Sequence, residues 1–139
     1  MTDQDVIDQD AQESNPGASP KDDLVERCAS AAYEVVRNFS GVVDLDLPPP
    51  WHKLDALHKR TARHMVSAAI FVGMSASECH EIWRGEMLSG GWDWGLEEDS
   101  GRRLHPAILP FHRLSVAQRA ATEIFCAAAY AVFDTEGNR

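Results

Sequence analysis

Residues that could bind a small molecule are concentrated between positions 80 and 106. This segment contains three of the four tryptophans of the chain, several glycines, and both acidic and basic side chains. Flat rings, guanidinium groups, a carboxylate and an imidazole on one loop suit a planar, charged ligand. The candidate ligand-binding residues are Trp83, Trp92, Trp94, Asp99, Arg102, Arg103 and His105.

A structural role for the same residues is the first alternative. Tryptophan side chains left in water forgo a large burial energy, so the segment must fold back on the chain, and its rings could simply be core. His105 precedes Pro106 and could be a turn residue bonded to the backbone. Asp99 could pair with Arg102 or Arg103 and fix the loop. Both interpretations remain open at the level of the sequence.

Enzymatic activity is a second alternative, which the sequence does not favour. Glu97, Glu98 and Asp99 lie near His105 and His112 and could in principle exchange protons with a substrate. However, consecutive acids on a loop are typical of a solvated patch, and the chain has no nucleophile elbow or phosphate-binding glycine loop. His80 and Glu81 begin an H-E-x-x-H pattern, but position 84 is arginine, so the second zinc ligand is missing. We therefore expect a non-enzymatic protein without a cofactor or metal site.

The charge distribution argues against a nucleic-acid partner. The chain of 139 residues has a formal net charge of -9, and seven acids against one lysine in residues 1–23 account for -6 of it. A protein that binds a phosphate backbone needs a basic face, and the mildly acidic remainder shows none. Residues 1–20 have almost nothing to bury and are predicted to be a disordered acidic tail.

Membrane and secretory signals are not visible in the sequence. The longest strongly apolar run, residues 65–74, is too short to span a bilayer. The first residues are acidic and polar, the opposite of a targeting presequence. Cys28, Cys79 and Cys126 are widely spaced and odd in number, which fits small buried residues in a reducing compartment. A cytoplasmic protein without a membrane partner is expected.

Apolar residues recur every three or four positions in four segments, which predicts four helices. The first covers residues 21–40 and is ended by Gly41. Three consecutive prolines then form an extended crossover, because proline is excluded from helix interiors and central strands. The second helix is predicted to follow directly, over residues 51–71, with Trp51 at its start.

Two capping boxes mark the start of the remaining helices. Ser75 with Glu78 begins a third helix to residue 88, and Ser115 with Gln118 begins a fourth to residue 133. The fourth helix is rich in alanine, which suits close packing on a neighbouring helix or self-association. The predicted fold is therefore mainly α: one four-helix domain over residues 21–139, with a long loop or short hairpin between the third and fourth helices.

The segment from residue 78 to residue 132 resembles a known domain family. H-E-I-W at residues 80–83, G-W-D-W-G at 91–95 and R-L-H-P at 103–106 are followed by F-H-R-L at 111–114. In this order and spacing, they resemble the RyR repeat domain of ryanodine receptors and of scattered bacterial and phage proteins. The first half of the chain resembles that family only weakly.

The resemblance implies a mainly helical, non-enzymatic module. In the receptors two repeats pack as a pseudo-twofold pair, and the paired domain is associated with adenine nucleotide binding. By analogy this chain would bind a nucleotide-derived small molecule, as a sensor or a sequestering protein in phage–host conflict. The alternative is a structural or protein-interaction domain that acts through homodimerisation, since a single repeat could supply its second half from another copy.

Site residues carry over from the family by position. The resemblance implies that Trp83 and Trp92 line the pocket and that Arg102 and Arg103 meet phosphates. Glu98 stands where the family commonly has a basic residue, which leaves room for a ligand with fewer charges.

Overall fold

The computed structural model describes residue 17, residues 19–43 and residues 47–137. Within these ranges the chain is mainly α-helical and contains four α-helices, which confirms the fold class predicted from the sequence. No helix in these ranges combines the length and the apolar character needed to cross a membrane. The predicted acidic tail, residues 1–20, lies outside the described residues except for positions 17, 19 and 20.

The first helix, α1, spans Pro20–Val42 and begins one residue before its predicted start. Ser19 caps it, because its hydroxyl accepts a hydrogen bond from the Asp22 N–H while the Asp22 carboxylate accepts from the Ser19 N–H. The reciprocal pair satisfies two backbone donors that the start of a helix would otherwise leave without partners. Proline fits the first helical position, since its missing N–H would have no partner there in any case.

The predicted end of α1 at Gly41 is wrong. The helix continues to Val42, and the N–H of Val43 donates to the carbonyl of Phe39. Gly41 does not take the positive φ that a terminating glycine uses, whereas Gly73 does, at φ 83°. The conformational freedom of Gly41 is therefore not needed for this helix end.

Hydrogen bonds fix the proline-rich crossover to α1. Tyr33 donates from its hydroxyl to the Pro49 carbonyl over 2.6 Å, and Arg37 donates from Nε to the Pro48 carbonyl over 2.8 Å. The Trp51 ring then packs on the Tyr33 ring, with centroids 5.7 Å apart. These contacts determine where the next helix can begin.

The second helix, α2, spans Ala56–Ser67, and the prediction that it begins at residue 51 is wrong. A separate 3-10 turn, Trp51–Lys53, comes first, and Leu54 is extended. Asp55 then caps α2, with its carboxylate accepting a hydrogen bond from the His58 N–H. Asp is a favourable N-cap because its short side chain reaches the unpaired N–H groups of the first turn.

A π-helical turn, Ala68–Val72, follows α2 and continues one residue beyond the predicted helix end at residue 71, as far as Gly73. The third helix, α3, spans Ala76–Ser89 and begins with the predicted capping box between Ser75 and Glu78. The long linker after α3 contains two short strands, described next.

Strand β1, Asp93–Trp94, pairs with strand β2, Leu104–His105. The pairing is parallel, so the linker is not a hairpin in the usual antiparallel sense. An isolated antiparallel bridge between Asp99 and Leu104 folds the intervening residues back. As a result, β2 and the residues beside it are held against the helices.

The fourth helix, α4, spans Val116–Gly137 and follows a 3-10 turn, Phe111–Arg113. Ser115 and Gln118 exchange reciprocal hydrogen bonds of 2.9 and 3.1 Å, which confirms the predicted capping box. Ala128 and Ala129 of α4 pack in or against the core, and α4 lies mainly against α1, where small residues allow close approach.

The main core lies where the four helices meet and consists mostly of small residues. Its members with at most 1% exposure are Cys28, Ala29, Ala32, Val66, Ala69, Cys79 and Ala129. All three cysteines are buried and unbridged, in agreement with the sequence expectation that they are small core residues. The polar side chains that could bind a ligand therefore lie outside this core, in the linker and around a cavity beside the core.

Candidate ligand-binding cavity

A cavity of about 240 Å³ lies between the helices and the linker that connects α3 to α4. All four helices and the linker contribute to its wall, which is mainly apolar. Large apolar side chains in the wall include Val36, Leu54, Met65, Trp83, Leu114 and Phe125. Polar side chains in it are Tyr33, Ser40, His58, His80, Glu98, His105, Gln118 and Thr122.

The size and charge of the cavity restrict what it can hold. Its volume lies below the roughly 300–1,000 Å³ of sites for drug-sized ligands, so it suits a smaller molecule. In the part of the wall formed by described residues there is no lysine or arginine, and the one carboxylate is that of Glu98. A polyanion inside this cavity would therefore lack a counter-charge other than histidine.

Trp83 and His105 are two predicted site residues that the structure brings together in the wall. Their rings meet edge to face, with centroids 5.0 Å apart and an interplanar angle of 73°. On the α3 side Trp83 stacks on His80, with centroids 5.4 Å apart at 27°. His105 is held from the other side, since its carbonyl accepts a hydrogen bond from the Gly95 N–H in the β1–β2 pairing. The rings of His80, Trp83 and His105 thus contact one another in a row along the wall.

His80 is a buried and neutral member of this series. It is 3% exposed, and its Nε2 lies 2.8 Å from the Leu109 carbonyl oxygen. Because a carbonyl only accepts hydrogen bonds, Nε2 must carry the proton. Burial lowers the pKa of His80, although the contact with Leu109 and the charge of Glu81 act in the opposite direction. His80 therefore supports Trp83 as an uncharged ring.

His105 has a defined tautomer that directs its other nitrogen to Glu98. Its Nδ1 accepts a hydrogen bond of 3.0 Å from the Ala107 backbone N–H, so the proton of the neutral ring is on Nε2. Nε2 lies 3.8 Å from the Glu98 Oε1, and both side chains are 23% exposed. This distance exceeds that of a hydrogen bond. The His105 ring and the Glu98 carboxylate therefore lie side by side in the wall.

Two further polar wall residues are oriented by their neighbours. Burial raises the pKa of Tyr33, and the negative charges of Glu98 and Glu34 act in the same direction. His58 has its Nδ1 2.6 Å from the Asp55 Oδ1. Burial acts to raise the pKa of Asp55, but the hydrogen bonds from the His58 backbone and ring lower it overall. Asp55 is thus ionised and fixes the His58 ring.

Trp92 and Trp94 lie outside the cavity wall. Trp92 is 6% exposed and packs in a second core cluster with Met87 and Ile108. Its ring meets the His58 ring edge to face at 5.1 Å, so it supports a wall residue from behind. Trp94 is 46% exposed on β1. Trp92 is thus a core residue, as the structural alternative expects, whereas Trp83 faces the cavity.

The structure places Asp99, Arg102 and Arg103 in contacts within the linker. Asp99 Oδ1 accepts from the Arg102 backbone N–H over 3.1 Å, and Arg103 Nη1 donates to the Gly90 carbonyl over 3.0 Å. Arg103 also has a positive φ of 55°, which is unusual for a residue other than glycine. None of the three is part of the cavity wall.

Sequence reasoning missed several residues that the cavity wall uses. Glu98 was not a predicted ligand-binding residue, although the sequence drew attention to it as an acid near His105 and as a departure from the RyR repeat pattern. Tyr33 on α1 lies far from Trp83 in the sequence, so no spacing rule could connect them. The apolar wall residues of α4, such as Phe125, have the same periodicity as core residues.

No family model matches this chain, and no solved structure matches it. Among the residues that the structure describes, no group of three or more His, Cys, Asp or Glu side chains is arranged to hold a metal ion. The cavity wall is therefore the feature from which a function can be inferred.

Proposed function

We propose that this chain is a non-enzymatic binding module for a nucleotide-derived small molecule of base or nucleoside size. The observation that carries the proposal is the cavity of about 240 Å³, whose mainly apolar wall contains the rings of His80, Trp83 and His105. A planar heterocycle can bury its faces against apolar wall residues while its polar edge meets Glu98 and His105.

The charge of the wall supports a base or nucleoside rather than a polyphosphate. Glu98 repels a phosphate placed in the cavity, and no lysine or arginine of the described wall opposes it. Phosphate groups on a larger ligand would have to remain outside. We also propose, from the motifs in residues 78–132, that the module is related to RyR repeats and acts in the cell as a sensor or a sequestering protein.

The proposal is tested by titrating the purified chain with nucleobases, nucleosides, ADP-ribose, cyclic dinucleotides and ATP. We expect saturable heat in calorimetry and a raised Tm with at least one base or nucleoside, because a ligand that binds only the folded state stabilises it. A flat response across the panel would contradict the proposal. Chromatographic detection of turnover would contradict its non-enzymatic part.

A pair of matched variants tests whether binding uses this cavity. Ala121 lies in the cavity wall, whereas Ala127 lies on the same helix and is exposed. Ala121→Leu fills part of the cavity and should abolish nucleoside binding, while Ala127→Leu should bind like the wild type. Both changes keep a strong helix former in α4. A folded Ala121→Leu protein with unchanged affinity would show that the ligand binds elsewhere.

Homodimerisation is the second candidate function, and one observation favours it. On the side of α4 away from the core, Ala127, Tyr130 and Ala131 are exposed together. Residues three and four positions apart lie on one face of a helix. This exposed side gives a second copy a surface of small and aromatic residues against which it could pack.

A further inference from the structure

His80 is the most deeply buried polar ring of the cavity wall, with 3% of the residue exposed. Trp83 and Phe111 contact this ring, with centroids 5.4 and 5.8 Å away. Nε2 donates a hydrogen bond of 2.8 Å to the Leu109 carbonyl, and burial keeps the ring neutral by lowering its pKa. In a neutral imidazole with its proton on Nε2, the other nitrogen, Nδ1, is an acceptor. The fold therefore fixes both the position and the tautomer of this ring.

Nδ1 of His80 has no hydrogen-bond partner among the residues that the structure describes. Within the same residues, Arg84 Nε is the one side-chain nitrogen or oxygen that is both fully enclosed and without a partner. Nδ1 is therefore not fully enclosed, and the open space that adjoins His80 is the cavity. Because a buried acceptor without a hydrogen bond is unfavourable, Nδ1 requires a donor from inside the cavity.

We infer that the cavity selects its ligand through a hydrogen-bond donor that binds His80 Nδ1, so the ligand is a heterocycle with an amino group or a ring N–H. The inference rests on the proposed function and specifies the polar group that a base-sized ligand must carry. While no ligand is bound, a water molecule in the cavity can bond Nδ1. A heterocycle without a donor would displace that water and leave Nδ1 unpaired, and such an exchange loses affinity.

His58 is a second imidazole of the wall with one nitrogen engaged, since its Nδ1 lies 2.6 Å from Asp55 Oδ1. Its side chain is 19% exposed, so solvent reaches the ring and can hydrogen-bond Nε2. His80 lacks this access to solvent, so the requirement for a ligand donor falls on its Nδ1 and not on His58. The Trp83 ring beside His80 offers a flat surface for the donor-bearing heterocycle.

The experiment is a calorimetric titration of the full chain with 9-methyladenine, 9-methylhypoxanthine and 9-methylpurine. The methyl group removes the N9 proton, and these probes have no ribose hydroxyl groups. The first therefore donates only from its amino group, the second only from its ring N–H, and the third has no donor. The loss of one buried hydrogen bond predicts that 9-methylpurine binds at least about tenfold more weakly than the tighter of the other two.

Long-range ¹H–¹⁵N NMR of the histidine rings locates the contact without a substitution. Before ligand is added, the His80 resonances should be those of the tautomer with its proton on Nε2. Saturation with 9-methyladenine should shift the Nδ1 resonance of His80, whereas Nε2, which is bonded to Leu109, should move less. A shift at His58 Nε2 with none at His80 Nδ1 would overturn the inference.

A variant pair assigns the selectivity to His80. His80→Phe keeps an aromatic ring beside Trp83 but removes the acceptor, so the preference for 9-methyladenine over 9-methylpurine should fall to within about twofold. His112→Phe makes the same change at an exposed position outside the cavity wall and should keep the preference of the wild type. Because His80→Phe leaves the Leu109 carbonyl without its donor, far-UV circular dichroism and Tm are measured for both variants.

The possible outcomes separate the inference from the proposed function. If the three 9-methyl probes bind the wild-type chain equally well, the inference is overturned and the proposed function stands. The same holds if none of them binds but a nucleoside does, because the heterocycle then does not supply the donor. If no base or nucleoside binds, both are overturned. The wild-type titrations decide the inference even if His80→Phe fails to fold.

Discussion

Arg102 and Arg103 are neighbours in the chain but have different surroundings. The Arg103 guanidinium donates to the Gly90 carbonyl at the end of α3, which ties the start of the linker to β2. Arg102 contributes its backbone N–H to Asp99, a contact that does not depend on its side chain. Both residues are exposed and outside the cavity wall. Their guanidinium groups could bind phosphate, but their positions indicate that they stabilise the loop.

We expect Arg103→Ala to lower the free energy of unfolding by about 0.5–1.5 kcal/mol, because it removes one hydrogen bond to the backbone. Arg102→Ala should change it by less than about 0.5 kcal/mol, as for most surface substitutions. Urea denaturation measures both, and calorimetry should find nucleoside affinity unchanged in each. A stable Arg103→Ala protein that no longer binds would instead support the ligand role expected from the sequence.

The sequence predicted which types of residue line the cavity better than it predicted which individual residues do so. Trp83 and His105 line the cavity, and both stand out in the sequence by type. Trp92 has the same type as Trp83 but is buried behind His58, a difference that depends on how the linker folds against α2. Glu98 was noted in the sequence near His105, but their proximity in space depends on the isolated bridge between Asp99 and Leu104, which no periodic pattern predicts.

At the scale of elements, the helix starts marked by capping boxes were predictable, whereas the start of α2 and several other boundaries were not. A capping box such as that of Ser75 and Glu78 is local, so spacing alone identifies it. The start of α2 depends instead on hydrogen bonds between α1 and the crossover, such as that from Tyr33 to Pro49. Parallel pairing of two-residue strands likewise leaves no periodic signal in the sequence.

Two glycines next to or within helices should respond in opposite ways to alanine. Gly73 ends the π-helical turn with φ 83°, where a Cβ is strained, so Gly73→Ala should destabilise the protein by about 1–2 kcal/mol. Gly85 lies inside α3, and a Cβ there would meet nothing within 4 Å. Gly85→Ala should therefore stabilise it by about 0.5–1 kcal/mol.

Chemical denaturation of the two variants beside the wild type measures this difference. Neither glycine belongs to the cavity wall, so nucleoside affinity should be the same in all three proteins. Destabilisation by Gly85→Ala would contradict the structure of α3, since it would mean that the added methyl group meets another part of the chain.

At the scale of the whole molecule, α4 has two distinct sides. Its inner side packs on α1 through small residues such as Ala129, and its first turns contribute Ala121 and Phe125 to the cavity wall. The outer side remains exposed at Tyr130 and Ala131. The proposed ligand binding and the proposed self-association would therefore use different surfaces, and a substitution on one side should leave the other function intact.

If the outer side of α4 forms a dimer, Ala131→Glu should convert the dimer to a monomer. The change would bury a carboxylate at the interface, in a region where Glu123 and Asp134 already supply negative charge on the same face. Ala56→Glu adds the same charge at the exposed start of α2, where a helix accepts it, and should leave association unchanged.

Sedimentation velocity over a range of concentrations measures the effect. A wild-type protein that stays monomeric at the highest concentration would remove homodimerisation from consideration, whereas nucleoside binding by Ala131→Glu would show that the cavity functions within a single chain.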